Sequence, residues 1–397
     1  MKYRILVVDD EPLLKSIITQ KFKHEIKKDE LEFLFANNGF EALDILKSNI
    51  DIGVVLTDIN MPGMDGITLL SQLVSQSRTY QTVVISAYGD MSNIRKAMNS
   101  GASDFITKPV DLKDLELTLK GAIDEFTYVK QMIAARHQLL EINKELTIGE
   151  MLQKSLIPQA FDPFGPKCKL KLYGEMIAAK EIGGDFFDFY TLNDYQLAFT
   201  IADVSGKGIP ASLFMSMSRT LFRAVKMQPG LMVQDIKNIN TVLNQNNDAA
   251  MFVTAFFGIF DLLTGELYYV NAGHNSPLLL SPGKGVVPIA PNEGIALGVI
   301  EDTDNKPYSF VEKTLKLEKD ALLLFYTDGV TEAFNTEGQI YSEARLKKFL
   351  ESKSPHDPLS NTAEELKASV KLYSKGLEQA DDMTFMLAHF DGVQQTR

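Results

Sequence analysis

The rhythm of apolar and polar positions changes twice along this chain. Over the first 125 residues, short apolar runs alternate with segments of helical spacing. Runs at 4–8, 31–36, 52–56, 82–86 and 104–106 predict strands buried on both faces. Apolar residues three and four apart predict helices over 13–24, 39–47, 67–74, 91–100 and 112–126. Strands alternating with helices in this way predict an α/β unit with a five-stranded parallel, doubly wound sheet. On such sheets, ligands lie at the carboxyl ends of the strands.

The second rhythm is longer. From 124 to 156 the only helix-breaking residue is Gly149. Met132, Ala135, Leu139, Ile142, Leu146 and Leu156 keep a three-four spacing, and Gly149 and Gln153 fill its two weak places. This predicts a long linker helix, either pairing two chains as a coiled coil or packing on its own domain. Beyond it the pattern is mixed. Strand-like runs fall at 169–176, 196–203, 251–261, 267–271, 321–326 and 383–390, with helical stretches at 212–226, 233–245 and 363–374. Thr264-Gly265-Glu266 supplies turn chemistry for a hairpin. The expected architecture is an α+β β-sandwich, with loops over 288–307 and 352–362.

Composition narrows the function classes. The 397 residues carry 52 acidic and 40 basic side chains, a formal charge of −12, and 45% are hydrophobic. That is enough apolar material for real cores. The acidic balance argues against nucleic acid or an anionic membrane as partner. The longest uncharged apolar-rich run, 249–260, is well short of the roughly 20 residues a membrane helix needs. The opening residues lead at once into Asp9-Asp10, which does not read as a signal peptide. Cys168 is the sole cysteine, so neither an intrachain disulfide nor a cysteine-based zinc site is expected. A cytoplasmic location is expected.

Two constellations carry chemistry. In the first, Asp9 and Asp10 end the first strand, Asp58 ends the third, Ser86 ends the fourth and Lys108-Pro109 follows the fifth. A parallel sheet brings these to one edge. Like charges about 4 Å apart repel by about 4 kcal/mol at an effective dielectric of 20. A hard cation such as Mg²⁺ relieves that, a carboxylate beside it can attack a phosphoryl group, and an ammonium can neutralise the transferred oxygens. The segments Val7-Val8-Asp9-Asp10-Glu11, Thr57-Asp58-Ile59-Asn60-Met61-Pro62-Gly63, Ile85-Ser86-Ala87 and Lys108-Pro109 resemble the receiver domain of two-component response regulators. The resemblance implies that Asp58 is the phospho-acceptor. It implies that Asp9 or Asp10, Asp58 and the Asn60 carbonyl hold Mg²⁺. Ser86, Phe105 and Lys108 would form the switch, with Phe105 where the family often has Tyr.

In the second constellation, aspartates stand beside glycines at strand ends. They occur in Glu181-Ile182-Gly183-Gly184-Asp185, Ala202-Asp203-Val204-Ser205-Gly206, Tyr326-Thr327-Asp328-Gly329 and Ala380-Asp381-Asp382. Carboxylates without His or Cys suit Mg²⁺ or Mn²⁺, and two such ions can activate a water towards phosphorus. With Asn271-Ala272-Gly273-His274-Asn275, these blocks resemble the metal-dependent PPM serine/threonine phosphatases, in their SpoIIE-like branch. The resemblance implies that Asp185 and Asp203, with the Val204 carbonyl, hold two Mn²⁺ or Mg²⁺ and that Asp328 and Asp381 complete the site. Asp382 is a second-choice ligand and Asp188 an outer support. Ser205 replaces a histidine of the eukaryotic members. Lys180 replaces their phosphate-gripping arginine and is the phosphate-binding candidate. His274 is expected to brace a hairpin loop.

Together the resemblances imply a receiver domain over 1–125, a helical linker over 126–157 and a phosphatase domain over 158–392. They imply a response regulator phosphorylated by a sensor histidine kinase or phosphotransfer protein. Its output would be hydrolysis of a phosphoserine protein, with a phosphorylated anti-sigma-factor antagonist as the expected substrate. A homodimer through the linker helix is expected. The alternative is a non-catalytic sigma-factor or anti-sigma-binding adaptor built on a phosphatase-like domain. A degenerate domain, however, has no reason to keep Asp185, Asp203, Asp328 and Asp381 together.

Overall fold

The fold is described from a computed structural model, which covers residues 2–75, 79–87, 90–165, 168–245, 247–289, 294–300 and 310–393. The chain divides into two units, Met1–Ile142 and Asn143–Arg397.

In the first unit, β1 (Tyr3–Val8), β2 (Leu31–Ala36), β3 (Ile52–Asp58), β4 (Gln81–Ala87) and β5 (Asp104–Lys108) form one sheet in the order β2-β1-β3-β4-β5. Every pairing is parallel. The connections are α1 (Pro12–Lys21), the short α2 (Lys23–Lys27), α3 (Gly39–Ser48), α4 (Gly66–Val74) and α5 (Met91–Asn99). All seven residues of β3 are buried. Val54 and Leu56 enter one apolar cluster and Val55 the other, so both faces of the strand are covered. That is why its sequence shows no polar alternation. Asp65 caps α4, accepting from Thr68 N at 2.7 Å.

The receiver's last predicted helix, 112–126, and the predicted linker helix from 124 form one element. A single helix, α6 (Leu112–Leu156), runs for 45 residues. No proline interrupts it, and Gly121 has nothing within 4 Å of its open side.

The second unit is a sandwich of two five-stranded sheets, β13-β10-β9-β8-β7 and β12-β11-β14-β15-β6. The strands are β6 (Leu170–Ile177), β7 (Phe186–Thr191), β8 (Gln196–Val204), β9 (Val253–Asp261), β10 (Glu266–Ala272), β11 (Leu278–Ser281), β12 (Gly285–Pro288), β13 (Lys313–Lys316), β14 (Ala321–Tyr326) and β15 (Met383–Phe390). The helices are α7 (Ile209–Ala224), α8 (Met232–Asn244), α9 (Asp328–Thr331), α10 (Glu343–Glu351) and α11 (Leu359–Ser374). Consecutive phenylalanines in β9 record the layering. Phe256 packs inward on Phe325 of the facing sheet, ring centroids 5.4 Å apart. Phe257 points the other way, onto Phe222 of α7 at 4.7 Å. Helices α10 and α11 cover the outer face of the second sheet through Leu346, Leu350, Leu366 and Phe385.

The predicted β9–β10 hairpin is present, with Gly265 at φ +69° in its turn. Four strands escaped the pattern: β7, whose residues FFDFYT show no alternation, and the four-residue strands β11, β12 and β13. The helices α9 and α10 escaped it too. The loop expected over 352–362 ends early, because α11 begins at Leu359. Of the loop expected over 288–307, residues 290–293 and 301–307 lie outside the described residues.

Candidate functional site

At the carboxyl edge of the first sheet, Asp9, Asp10 and Asp58 offer oxygens within 4.8 Å of one another. Asp9 and Asp58 are buried; Asp10 is exposed. Lys108 Nζ lies 2.6 Å from Asp58 Oδ2, 3.3 Å from Asp9 Oδ2 and 3.8 Å from Glu11 Oε1. Burial works against the Lys108 charge, but the hydrogen bond to Asp58 and the fields of both aspartates outweigh it and raise its pKa. Burial raises the pKa of Asp9, against the pull of Glu11 N and Lys108. Asp58 Oδ1 accepts from Asn60 N at 3.3 Å. Ser86 is fully buried, and its hydroxyl has no hydrogen-bond partner. An orphaned donor beside the Asp58 strand fits an incoming phosphoryl oxygen. Phe105 is partly exposed. Three oxygen donors at one edge, one of them open to solvent, fit a hard divalent cation.

The second acidic set forms at the ends of β7, β8, β14 and β15. Asp185 is buried, Asp203, Asp328 and Asp381 are half-buried, and Asp382 is buried. Thr327 Oγ1 donates to Asp185 Oδ2 at 2.7 Å and accepts from Thr384 N at 3.0 Å, which fixes Asp185 between two strands. Both Asp382 oxygens are engaged by backbone. Oδ1 accepts from Ala179 N at 2.8 Å, and Oδ2 accepts from Gly184 N at 2.6 Å and Asp185 N at 3.4 Å. Asp382 therefore clamps the loop that carries Asp185. The glycines follow from that closeness: a Cβ on Gly183 would meet Asp382 Oδ2 at 2.4 Å, and one on Gly329 would meet Asp382 O at 2.0 Å. Asp381 pairs with Lys207 Nζ at 3.0 Å.

Electrostatics mark the set as short of positive charge. Burial, with Asp203 and Asp382 nearby, pushes Asp185 well above the usual carboxylate range. Burial and Asp328 push Asp203 up to about 7. Burial, Glu332 and Asp381 raise Asp328. Among the described residues, no three of these carboxylates come within 4.8 Å of one another. The acid-rich, cation-poor donor set fits Mg²⁺ or Mn²⁺.

Other candidates fall elsewhere. Asp188 does not support the acidic set. It is paired with α7, at 2.6 and 2.7 Å from the Arg223 guanidinium and 3.1 Å from Arg219 Nε. Ser205 braces a loop, its Oγ accepting from Phe252 N at 2.9 Å. His274 is buried, and burial lowers its pKa to about 3. Its Nδ1 lies 2.9 Å from Thr254 Oγ1, and its backbone exchanges hydrogen bonds with the Asn271 amide. It is a neutral brace, as expected. Lys180 is exposed.

Gln153 is the residue the sequence reading undervalued. It is buried at a weak place in the helical seam. Its amide donates to Gly183 O at 2.7 Å and accepts from Gly183 N at 3.0 Å. The C-terminal part of α6 is thus tied to the glycine loop that precedes Asp185. A polar residue interrupting an apolar period was the available signal. Thr327 stood inside one motif and Lys207 directly after another, neither with an assigned task.

A parallel receiver-type sheet with an aspartate-lysine edge, and a two-sheet sandwich edged with aspartates, define a receiver joined to a PPM-type phosphatase fold. The response regulator receiver domain profile matches residues 5–120, and the Stage II sporulation protein E (SpoIIE) profile matches residues 193–391. The chain belongs to the SpoIIE family and carries an N-terminal receiver domain. Protein IcfG of Synechocystis sp. is 25% identical over 345 residues, 78% of this chain and 52% of that protein. The phosphoserine phosphatase RsbU of Bacillus subtilis is 30% identical over 229 residues, 55% of this chain and 64% of that protein. The matches thus span about half to two thirds of these relatives' length. The solved SiaA-PP2C domain of Pseudomonas aeruginosa shares the fold at TM-score 0.54 and 18% identity, over 64% of this chain and 99% of that one. Among the described residues, no helix is long and apolar enough to cross a membrane.

Proposed function

We propose that this chain is a cytoplasmic response regulator whose receiver, phosphorylated on Asp58 by a sensor histidine kinase or phosphotransfer protein, controls a metal-dependent protein serine/threonine phosphatase. The observation that carries the catalytic half is the cation-poor set of buried Asp185 and half-buried Asp203 and Asp328 at neighbouring strand ends, with Asp185 held by Thr327 and the pKa of all three raised. The name of RsbU, a phosphoserine phosphatase, supports the same substrate chemistry.

In the receiver, Asp9, Asp10, Asp58 and the Asn60 carbonyl are the proposed Mg²⁺ ligands. Lys108 neutralises the phosphoryl oxygens, the Ser86 hydroxyl finds its missing partner there, and Phe105 turns inward behind it. In the phosphatase domain, Asp185, Asp203, the Val204 carbonyl, Asp328 and Asp381 are the proposed ligands of two Mn²⁺ or Mg²⁺, with Asp382 holding Asp185 in place. When bound, such ions lower the pKa of a water and stabilise charge on phosphorus. Thr327 orients Asp185, and Lys180 attracts the substrate phosphate. A cavity of about 830 Å³, lined by Lys207, Glu332, Phe334, Lys367, Lys371 and Asp381, adjoins the acidic set and is the proposed seat of the protein substrate. A phosphorylated anti-sigma-factor antagonist is the proposed substrate.

Regulation runs through α6. Met132, Leu139 and Ile142 are exposed, and we assign them to pairing with a second chain. Gln153 then passes a change in helix packing to the Asp185 loop. A coupling of about 1–3 kcal/mol gives a 5- to 150-fold switch.

The test is hydrolysis of a generic aryl phosphate with Mn²⁺, with and without a phosphoryl mimic on Asp58, beside Asp328→Asn. Equal turnover of the wild type and Asp328→Asn would favour the adaptor reading. Equal turnover with and without the mimic would refute control by the receiver.

A further inference from the structure

A third cluster of ligating side chains stands at the opposite end of the second sheet. Asp320 immediately precedes β14, His389 is the penultimate residue of β15, and His356 lies between α10 and α11. Each offers one ligand atom, and the three atoms lie within 4.8 Å of one another. His389 Nε2 is 3.7 Å from Asp320 Oδ1, and His356 Nδ1 is 4.0 Å from the same oxygen. The two imidazoles meet edge to face, with centroids 6.0 Å apart.

The cluster is separate from the phosphatase aspartates. Asp328 is eight residue steps of extended chain beyond Asp320, and His389 is seven beyond Asp382. At about 3.3 Å per residue, these spans are roughly 23–26 Å.

Two of its polar atoms are unaccounted for by the protein. His389 is 4% exposed, and its Nε2 is buried with no hydrogen-bond partner. Asp320 Oδ1, which faces it, is equally buried and equally unpartnered. Leaving such buried atoms unsatisfied is unfavourable. At 3.7 Å the two are too far apart for a hydrogen bond, yet close enough to share a ligand. The strand pattern explains why His389 points here. Leu387 and Phe385, on the same face of β15, pack under α10 and α11, whereas Ala388 and Phe390 face the other sheet. Asp320 N donates to Phe390 O at 2.7 Å, which fixes its side chain beside that face. Lys171, the cross-strand neighbour of His389, adds positive charge nearby, and Asp391 opposes it.

We propose that Asp320, His356 and His389 form a binding site for a borderline divalent transition metal, with Zn²⁺ as the reference ion. Two imidazole nitrogens and one carboxylate oxygen are the donor set of three-ligand Zn²⁺ sites, with a fourth position left to water. The chemistry differs from that of the all-oxygen sites, which suit Mg²⁺ and Mn²⁺. Ligand atoms around a tetrahedral Zn²⁺ stand roughly 3.3 Å apart, so closure asks for a small contraction. His356, exposed on its loop, can supply it. Occupancy pins the α10–α11 loop onto the sheet.

The test uses the untagged full chain, stripped of metal and held in excess Mg²⁺ to fill the oxygen sites. Zn²⁺ alone is titrated, and retained metal is counted after dialysis. Co²⁺ then replaces it to read coordination by visible absorption. The wild type is expected to keep one Mg²⁺-resistant Zn²⁺ and to give the intense spectrum of a four-coordinate, nitrogen-bearing Co²⁺ site. His356→Ala is expected to weaken binding roughly tenfold or more while leaving Mn²⁺-dependent aryl phosphate hydrolysis unchanged. His389→Gln is expected to abolish binding. If His389→Gln does not fold, the exposed His356→Ala decides alone. Equal Zn²⁺ affinity in wild type and His356→Ala, or no Mg²⁺-resistant Zn²⁺ in the wild type, overturns the proposal.

Discussion

In the receiver, Lys108 Nζ stands 2.6 Å from Asp58 and 3.3 Å from Asp9. In the second unit, among the described residues, the only basic group paired with the aspartate set is Lys207, and it reaches Asp381 at the rim. Both sites gather carboxylates at strand ends, but only the receiver brings its own counter-charge into the cluster. The difference has a physical consequence. The receiver edge is electrostatically tolerable with Lys108 alone as counter-charge. The deeper set relieves repulsion by holding protons, so Asp203 rises to about 7 and Asp185 well above the usual range. A bound divalent cation would replace those protons.

The largest expected effect follows from that dependence. Asp203→Asn should lower kcat for Mn²⁺-dependent aryl phosphate hydrolysis by about 100-fold or more, at 1.36 kcal/mol per decade. Steady-state kinetics over a Mn²⁺ series checks it, and chelator should reduce the wild type to the same level. Next comes the receiver. Lys108→Ala should erase the response of turnover to a phosphoryl mimic on Asp58, an expected loss of about 5- to 150-fold in the switch. A preserved response would break the contrast between the two sites.

The pH prediction separates the sites through stability. A carboxylate whose folded pKa is raised holds its proton in the fold at a pH where the unfolded chain has lost it. In the metal-free protein, the stability of the second unit should therefore fall as pH rises from about 4 through about 7, by a few kcal/mol. Calorimetry should show its melting temperature dropping over that window, and Mn²⁺ at pH 8 should restore it. The receiver transition should move less, because Lys108 stays charged there. A flat profile for the second unit would remove the electrostatic argument.

Gln153→Ala should cost about 1–3 kcal/mol, since it leaves Gly183 N–H and C=O buried without partners. It should also lower kcat several-fold through the Asp185 loop. Paired denaturation and kinetics measure both. The smallest effect is expected at Lys180, which is exposed. Lys180→Ala should raise KM for a phosphoprotein about two- to threefold and leave kcat unchanged.

Much of both sites was legible because their determinants are local. An apolar run that stops at a polar or charged residue declares a strand end, and the order Asp9-Asp10, Asp58, Ser86, Lys108 marks a receiver edge. The receiver's Asp9, Asp58, Ser86 and Lys108 lie at the strand ends where that order puts them. The aspartates of the second unit were also visible one by one, as strand-end residues. Their division of labour was not. Asp382 reads like a ligand beside Asp381, yet its oxygens are bound by the amides of Ala179, Gly184 and Asp185, nearly two hundred residues away. Asp188 sits three residues after Asp185 in the sequence, but strand geometry turns it to Arg219 and Arg223 on α7.

The sequence by itself determined the two fold classes, the helix between them and the aspartates at strand ends. Each follows from periodicity and turn chemistry within a short window. Tertiary structure alone decided which partner each polar group meets: Gln153 with Gly183, Thr327 with Asp185, and His389 facing Asp320 near His356. Those encounters depend on strand register and layer packing. Register is set by the summed burial of whole faces, and no local spacing encodes that sum.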